Sequence, residues 1–142
     1  MPLLPVLEAP EIIISYDTEN QWLYADWQGE HTQDSARVGC HHIQTALGQY
    51  PTSKLLNDNS NLSRPQMQLT EWGVNWLREM YGQGLRFVAW VYAPDYPGRK
   101  PSDALVRYLE KPTVLAFDDV ATAFLWLSRQ QVRQAPDGLP GS

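Results

Sequence analysis

Leu85-Arg86-Phe87-Val88-Ala89-Trp90-Val91-Tyr92 is the stretch on which the fold turns. Seven of its eight residues are apolar, and it is bounded by Gly84 on one side and Pro94 on the other. A short apolar run between such punctuation suits a central strand covered on both faces. Upstream, Gly82-Gln83-Gly84 offers the left-handed cap that ends a helix. That helix is expected from about Gln68 to Tyr81, with Leu69, Trp72, Trp76 and Met80 as its apolar stripe. Helix followed by buried strand is the repeating step of an α/β sheet.

Working outward, the same step recurs. Lys54-Leu55-Leu56-Asn57-Asp58 reads as a short strand, and Asn59 to Pro65 as the loop that leaves it. Before it, Ala36, Cys40, Ile43 and Leu47 recur at helical spacing over Asp34–Gln49, behind a cap at Thr32 or Asp34. Tyr50-Pro51 stops that helix. At the front, Glu11–Tyr16 is β-branched, Asp17-Thr18-Glu19-Asn20 is turn chemistry, and Trp22–Gln28 alternates. Leu23, Ala25 and Trp27 face one way, and Trp22, Tyr24 and Asp26 the other. Two strands joined by a few polar residues make a hairpin, so the first strand runs antiparallel at a sheet edge.

On the far side, Pro101 opens a helix to about Glu110, Thr113–Phe117 is a last strand, and Asp118 caps a helix through about Gln131. The predicted order is ββαβαβαβα, a mixed and mostly parallel sheet. Residues 1–10 are read as an arm, 11–131 as the domain and 132–142 as a disordered tail rich in Pro and Gly.

Composition narrows the function. The 142 residues carry a net charge of −5, which disfavours a general nucleic-acid binder. One cysteine forms no internal disulfide, and no apolar run approaches the roughly 20 residues of a membrane span. With no basic leader at Met1–Glu8, a cytoplasmic location is expected. Cys40-His41-His42 lacks metal-ligand spacing, because successive helical residues point about 100° apart. No dedicated metal site and no cofactor are expected. Gly82-Gln83-Gly84 precedes a strand, the wrong context for a phosphate cradle. No G-x-S-x-G elbow or nucleotide fingerprint occurs.

Loops at the carboxyl ends of parallel strands collect on one rim, where ligands usually bind. That rim would carry Glu30, His31, Asn57, Asp58, Asn59, Ser60, Asn61, Tyr92, Asp95, Tyr96 and Arg99. Asn57-Asp58-Asn59-Ser60-Asn61 is its densest polar run. Such side chains either tie down neighbouring backbone or form a recognition or phosphorylation loop, and the two roles are compatible. Six tryptophans are mainly core material, with Trp22 and Tyr24, on the second strand's other face, expected to be partly exposed. The aromatic surplus also suits a homodimer.

Several segments together carry a resemblance. They are Tyr16-Asp17, Leu23-Tyr24-Ala25-Asp26-Trp27-Gln28-Gly29, Leu55-Leu56-Asn57-Asp58-Asn59, Gly84–Tyr92, and Phe117-Asp118 with Ala123 and Trp126-Leu127. Over about residues 11–130 the chain resembles the short STAS-like proteins of Bacteroidetes-type bacteria. That family is named for sulfate transporters and anti-sigma-factor antagonists. The resemblance implies a mixed sheet with helices and a non-enzymatic module that binds a protein partner under phosphorylation control. The family switch reads Asp-Ser-Ser/Thr-Gly. Here Asp58 and the hydroxyl of Ser60 match it, while Asn59 and Asn61 replace the middle Ser and the Gly. The resemblance makes Ser60 the switch, and with the rim it gives Asn57, Asp58, Asn59 and Asn61, together with Tyr92 and Asp95 from the rim alone, as the expected binding loop. Two rival readings stand beside it. One is a carrier of a small apolar, lipid-like ligand, by analogy with CRAL-TRIO-like domains. The other is a small enzyme using His31, Asp58 or Ser60.

Overall fold

The computed structural model describes residues 2–63, 70–94, 104 and 106–132. Six strands form one sheet in sequence order: β1 (Leu3–Glu8), β2 (Ile12–Asp17), β3 (Trp22–Gly29), β4 (Lys54–Leu62), β5 (Phe87–Val91) and β6 (Thr113–Phe117). β1, β2 and β3 pair antiparallel, and β3 through β6 are parallel. The mixed, mostly parallel α/β sheet expected from sequence is therefore the fold. Three helices pack on it: α1 (Gln33–Gln49), α2 (Glu71–Gly82) and α3 (Val120–Arg129). A further helical stretch includes residues 104 and 106–108.

Local chemistry sets the boundaries. Thr32 caps α1 in a capping box with Ser35. Thr70 caps α2, and Asp119, one residue later than expected, caps α3 through Thr122. The Thr122 backbone N–H and then its hydroxyl hold the Asp119 carboxyl below its usual range. Past α2, Gly84 takes φ +113, which lets the chain reverse into β5.

The sheet divides the core in two. On one face α1 and α2 pack Ile43, Leu47, Trp76, Leu77 and Met80 against Ile14, Leu23, Leu55 and Val88. On the other, α3 sets Ala123 and Leu127 against Trp22, Leu56, Ala89 and Val91. β5 is buried from both sides, as its apolar run required. α1 packs directly on the Trp27 ring at Gly39. A Cβ there would lie 2.5 Å from Cη2 of Trp27, so only glycine fits under the ring.

Three expectations are corrected. Residues 3–8, read as part of an arm, form β1, so the strand beginning at Ile12 is internal. The pairing partner is the Ile-rich β2, whose second edge would otherwise be bare. Trp22 is fully buried, because α3 covers its side of β3 and Phe124 meets its ring edge-on at 5.0 Å. The loop expected from Asn59 is strand, since β4 runs on to Leu62 beside β3. Gln68, Leu69, the start at Pro101, and the tail from residue 133 lie outside the described residues.

Candidate functional site

The site is built where β3 and β4 end. Their pairing is in register from Leu23 with Leu55 to Asp26 with Asp58, and then shifts so that Gln28 faces Asn61. β4 thus carries one extra residue, a bulge, at the polar run. A regular strand would send Ser60 and Asn61 to opposite faces. The bulge turns both toward the carboxylates of Asp26 and Asp58.

Asp58 is 1% exposed and is held by hydroxyls. Tyr24 Oη donates to its Oδ2 at 2.6 Å. The Ser60 hydroxyl donates to Oδ1 at 2.6 Å, and the Ser60 backbone N–H donates to the same oxygen at 2.9 Å. Its neighbour Asp26 accepts from Asn61 Nδ2 at 3.0 Å and from Gln28 Nε2 at 3.2 Å. Among the described residues these donors to the two carboxylates are neutral. Burial, then the bond to Asp58 and the charges of Asp58 and Asp26, raise the Tyr24 phenol far above its ordinary range. Tyr24 is therefore a fixed donor. Ser60 is half-buried and Asn61 exposed, so the cluster runs from the interior to the surface.

The expected rim is split by the sheet. Asn57 lies on the α1/α2 side, where its Oδ1 accepts from Trp27 Nε1 at 2.8 Å. His31 packs edge-on against Trp27 at 5.1 Å, and its Nε2 donates to the Glu11 carbonyl at 2.9 Å. Its Nδ1 is 3.0 Å from Ser35 Oγ. His31 thus belongs to the α1 junction, while Asp58 and Ser60 belong to the α3 side. Asn59 is buried, and so is Tyr92, whose backbone N–H bonds the Phe117 carbonyl. Asp95, Tyr96 and Arg99 lie outside the described residues.

Other candidates resolve into structure. Cys40 is packed on α1, and burial pushes its thiol up to about 12, far from a reactive thiolate. Its carbonyl accepts from Trp76 Nε1 at 3.1 Å, which locks α2 to α1. His41 stacks edge-on with Trp72 at 5.8 Å, and the Arg37 guanidinium lies 5.2 Å from the same ring centre. Among the described residues no three His, Cys, Asp or Glu side chains converge as metal ligands. No helix among them is long and apolar enough to cross a membrane.

Sequence reasoning finds Asp58, Ser60 and Asn61 but misses Tyr24, Asp26 and Gln28 as members of the cluster. The signal is present in the alternation of β3, which puts all three on one face beside β4. The bulge that turns Asn61 toward them has no sequence signature of its own. No family model matches the chain, and no curated protein matches it.

Proposed function

We propose that the protein is a non-enzymatic, STAS-like interaction module of the bacterial cytoplasm whose partner surface is switched at Ser60. The observation that carries the reading is the 2.6 Å bond from the Ser60 hydroxyl to the buried Asp58 carboxylate, at a residue that is itself half-exposed. A phosphoryl group on Ser60 replaces the donated proton with a charge of about −1.5 to −2. It would then stand against two carboxylates, Asp58 and Asp26, whose described donors are neutral. Repulsion expels Ser60 from the cluster and takes Asn61 and the end of β4 with it. Tyr24 loses the neighbour that shares its acceptor. A local charge change thus becomes a change of surface at the end of β4.

The same arrangement argues against hydrolytic chemistry at Ser60. Its hydroxyl donates to a carboxylate rather than to a histidine, and His31 is bonded elsewhere.

The test compares wild type, Ser60→Ala and Ser60→Asp as baits in a pull-down from the source cells, with circular dichroism to establish that all three fold. A partner retained by Ser60→Ala and lost or gained at least tenfold in Ser60→Asp supports the switch. Equal capture by both variants rejects it. Mass spectrometry of the protein from those cells should also find phosphate on Ser60.

A further inference from the structure

The two edges of the sheet are unlike. β1 carries Pro5, a bulge between Pro5 and Leu7, and Glu8, the features that stop another strand from pairing. β6 is Thr113-Val114-Leu115-Ala116-Phe117, with no proline, no charge and no register shift against β5. It is the last strand of the sheet, and Leu115 is 44% exposed at its centre. Among the described residues no strand pairs with its outer side, and an edge of this composition is a template for another strand.

We propose that β6 pairs antiparallel with β6 of a second copy, about a two-fold axis at Leu115, so that the two six-stranded sheets become one continuous sheet. Backbone parity fits. Thr113 N donates to the Arg86 carbonyl and Phe117 O accepts from Tyr92 N, so the odd-numbered residues of β6 bond inward to β5. The N–H and C=O groups of Val114 and Ala116 therefore point outward. With Leu115 on the axis, Val114 of one copy meets Ala116 of the other as a hydrogen-bonded pair, twice. Leu115 meets its own counterpart as the close, non-hydrogen-bonded pair, with Cα atoms about 4.5 Å apart.

Charge fits as well and selects the direction. The strand is flanked by Lys111 before it and by Asp118-Asp119 after it, all exposed. Antiparallel pairing brings the Lys111 end of each copy beside the Asp118-Asp119 end of the other, giving two complementary meetings. Parallel pairing would set like charge on like. An arbitrary peptide would supply the backbone bonds but not this reciprocal charge pattern. On the α3 side, Phe117 and Trp126, whose ring centres are 5.6 Å apart, give the second Leu115 an apolar border. The pairing is independent of the Ser60 switch.

Sedimentation equilibrium of the full chain at about 5–100 µM tests this. Wild type should give twice the chain mass, and the dimer should weaken with salt. Leu115→Lys, which puts two like charges on the axis, should give a monomer with its melting transition retained. Leu125→Lys, at a 52% exposed position on α3, should leave the dimer intact. A second variant covers failure of Leu115→Lys to fold. In a Cys40→Ala background, Leu115→Cys should form a covalent dimer on mild oxidation, because a non-hydrogen-bonded pair brings the two Cα atoms within disulfide range. Leu125→Cys in the same background should not. Three results would overturn the proposal: a wild-type monomer at the highest concentration, a dimer that survives Leu115→Lys, or a Leu115→Cys variant that cross-links no more than the Leu125→Cys control.

Discussion

Trp22 and Trp27 stand on one strand, both buried, on opposite faces of the sheet. Trp27 lies under α1, its N–H bonded to Asn57 and its ring backed by Gly39 and His31. Trp22 lies under α3, its ring edge-on to Phe124 and 5.7 Å from the Lys54 ammonium, while its indole N–H has no partner among the described residues. One face of β3 is thus closed by a satisfied polar seam. The other leaves a donor orphaned in its core and places its bonded polar groups at the strand end, where Ser60 reaches solvent. Firm packing and a displaceable cluster sit back to back, and the sheet keeps them apart.

The largest expected effect is on the sealed face. Trp27→Phe removes buried ring volume and leaves the Asn57 carbonyl oxygen unpaired behind α1. It should cost about 2–4 kcal/mol, from the cavity and the lost acceptor bond together, read as a shift in the urea midpoint at constant slope. If Asn57→Leu combined with Trp27→Phe costs no less than Trp27→Phe alone, the orphaned oxygen is not the cause.

Alkaline pH separates the faces a second way. Cys40 lies on the α1 side and Tyr24 on the α3 side, and both are acids whose folded pKa is raised. A raised pKa means that the folded state holds its proton longer than the unfolded chain does. The associated stability is complete below the unfolded pKa and falls as pH climbs above it. The thiol begins this loss near pH 8.5 and runs to about 12, and the phenol begins near pH 10. At about pH 10.5 the wild type should have lost about 2–3 kcal/mol relative to about pH 8 through Cys40. Cys40→Ala should flatten the decline from about pH 8.5. Tyr24→Phe should flatten only the part above about pH 10. A decline that neither variant alters would assign the pH dependence elsewhere.

The parts of this contrast legible in the sequence are those with a period. Alternation along Trp22–Gln28 assigns Leu23, Ala25 and Trp27 to one face and Trp22, Tyr24 and Asp26 to the other, as the structure has them. The apolar run at Leu85–Tyr92 locates a strand buried on both sides. What escapes is set by partners distant in the chain. Asn59 to Asn61 look like loop because Asn and Ser favour turns, yet pairing with Gln28 and Gly29 keeps β4 extended to Leu62. Trp22 looks partly exposed because nothing near it in sequence predicts that a helix beginning at Val120 will cover it. Leu3–Glu8, with its proline, reads as an arm because edge pairing tolerates Pro where a central strand does not.

The smallest expected effect belongs to Trp22 itself, and it is the sharpest check on the contrast. Trp22→Phe deletes as much ring as Trp27→Phe, so the cavity costs of the two changes should be of similar size. The polar terms have opposite sign. At Trp27 the change orphans an acceptor. At Trp22 it removes a donor that is already orphaned, and so relieves a desolvation cost of about 1–3 kcal/mol. Some of that relief is offset, because phenylalanine offers the Lys54 ammonium a weaker ring than tryptophan does. The opposing contributions should leave Trp22→Phe within about 1 kcal/mol of wild type in urea unfolding, although the residue is fully buried. Equal losses for the two tryptophans would mean that the indole N–H of Trp22 is satisfied in solution. The two faces of β3 would then differ in packing alone.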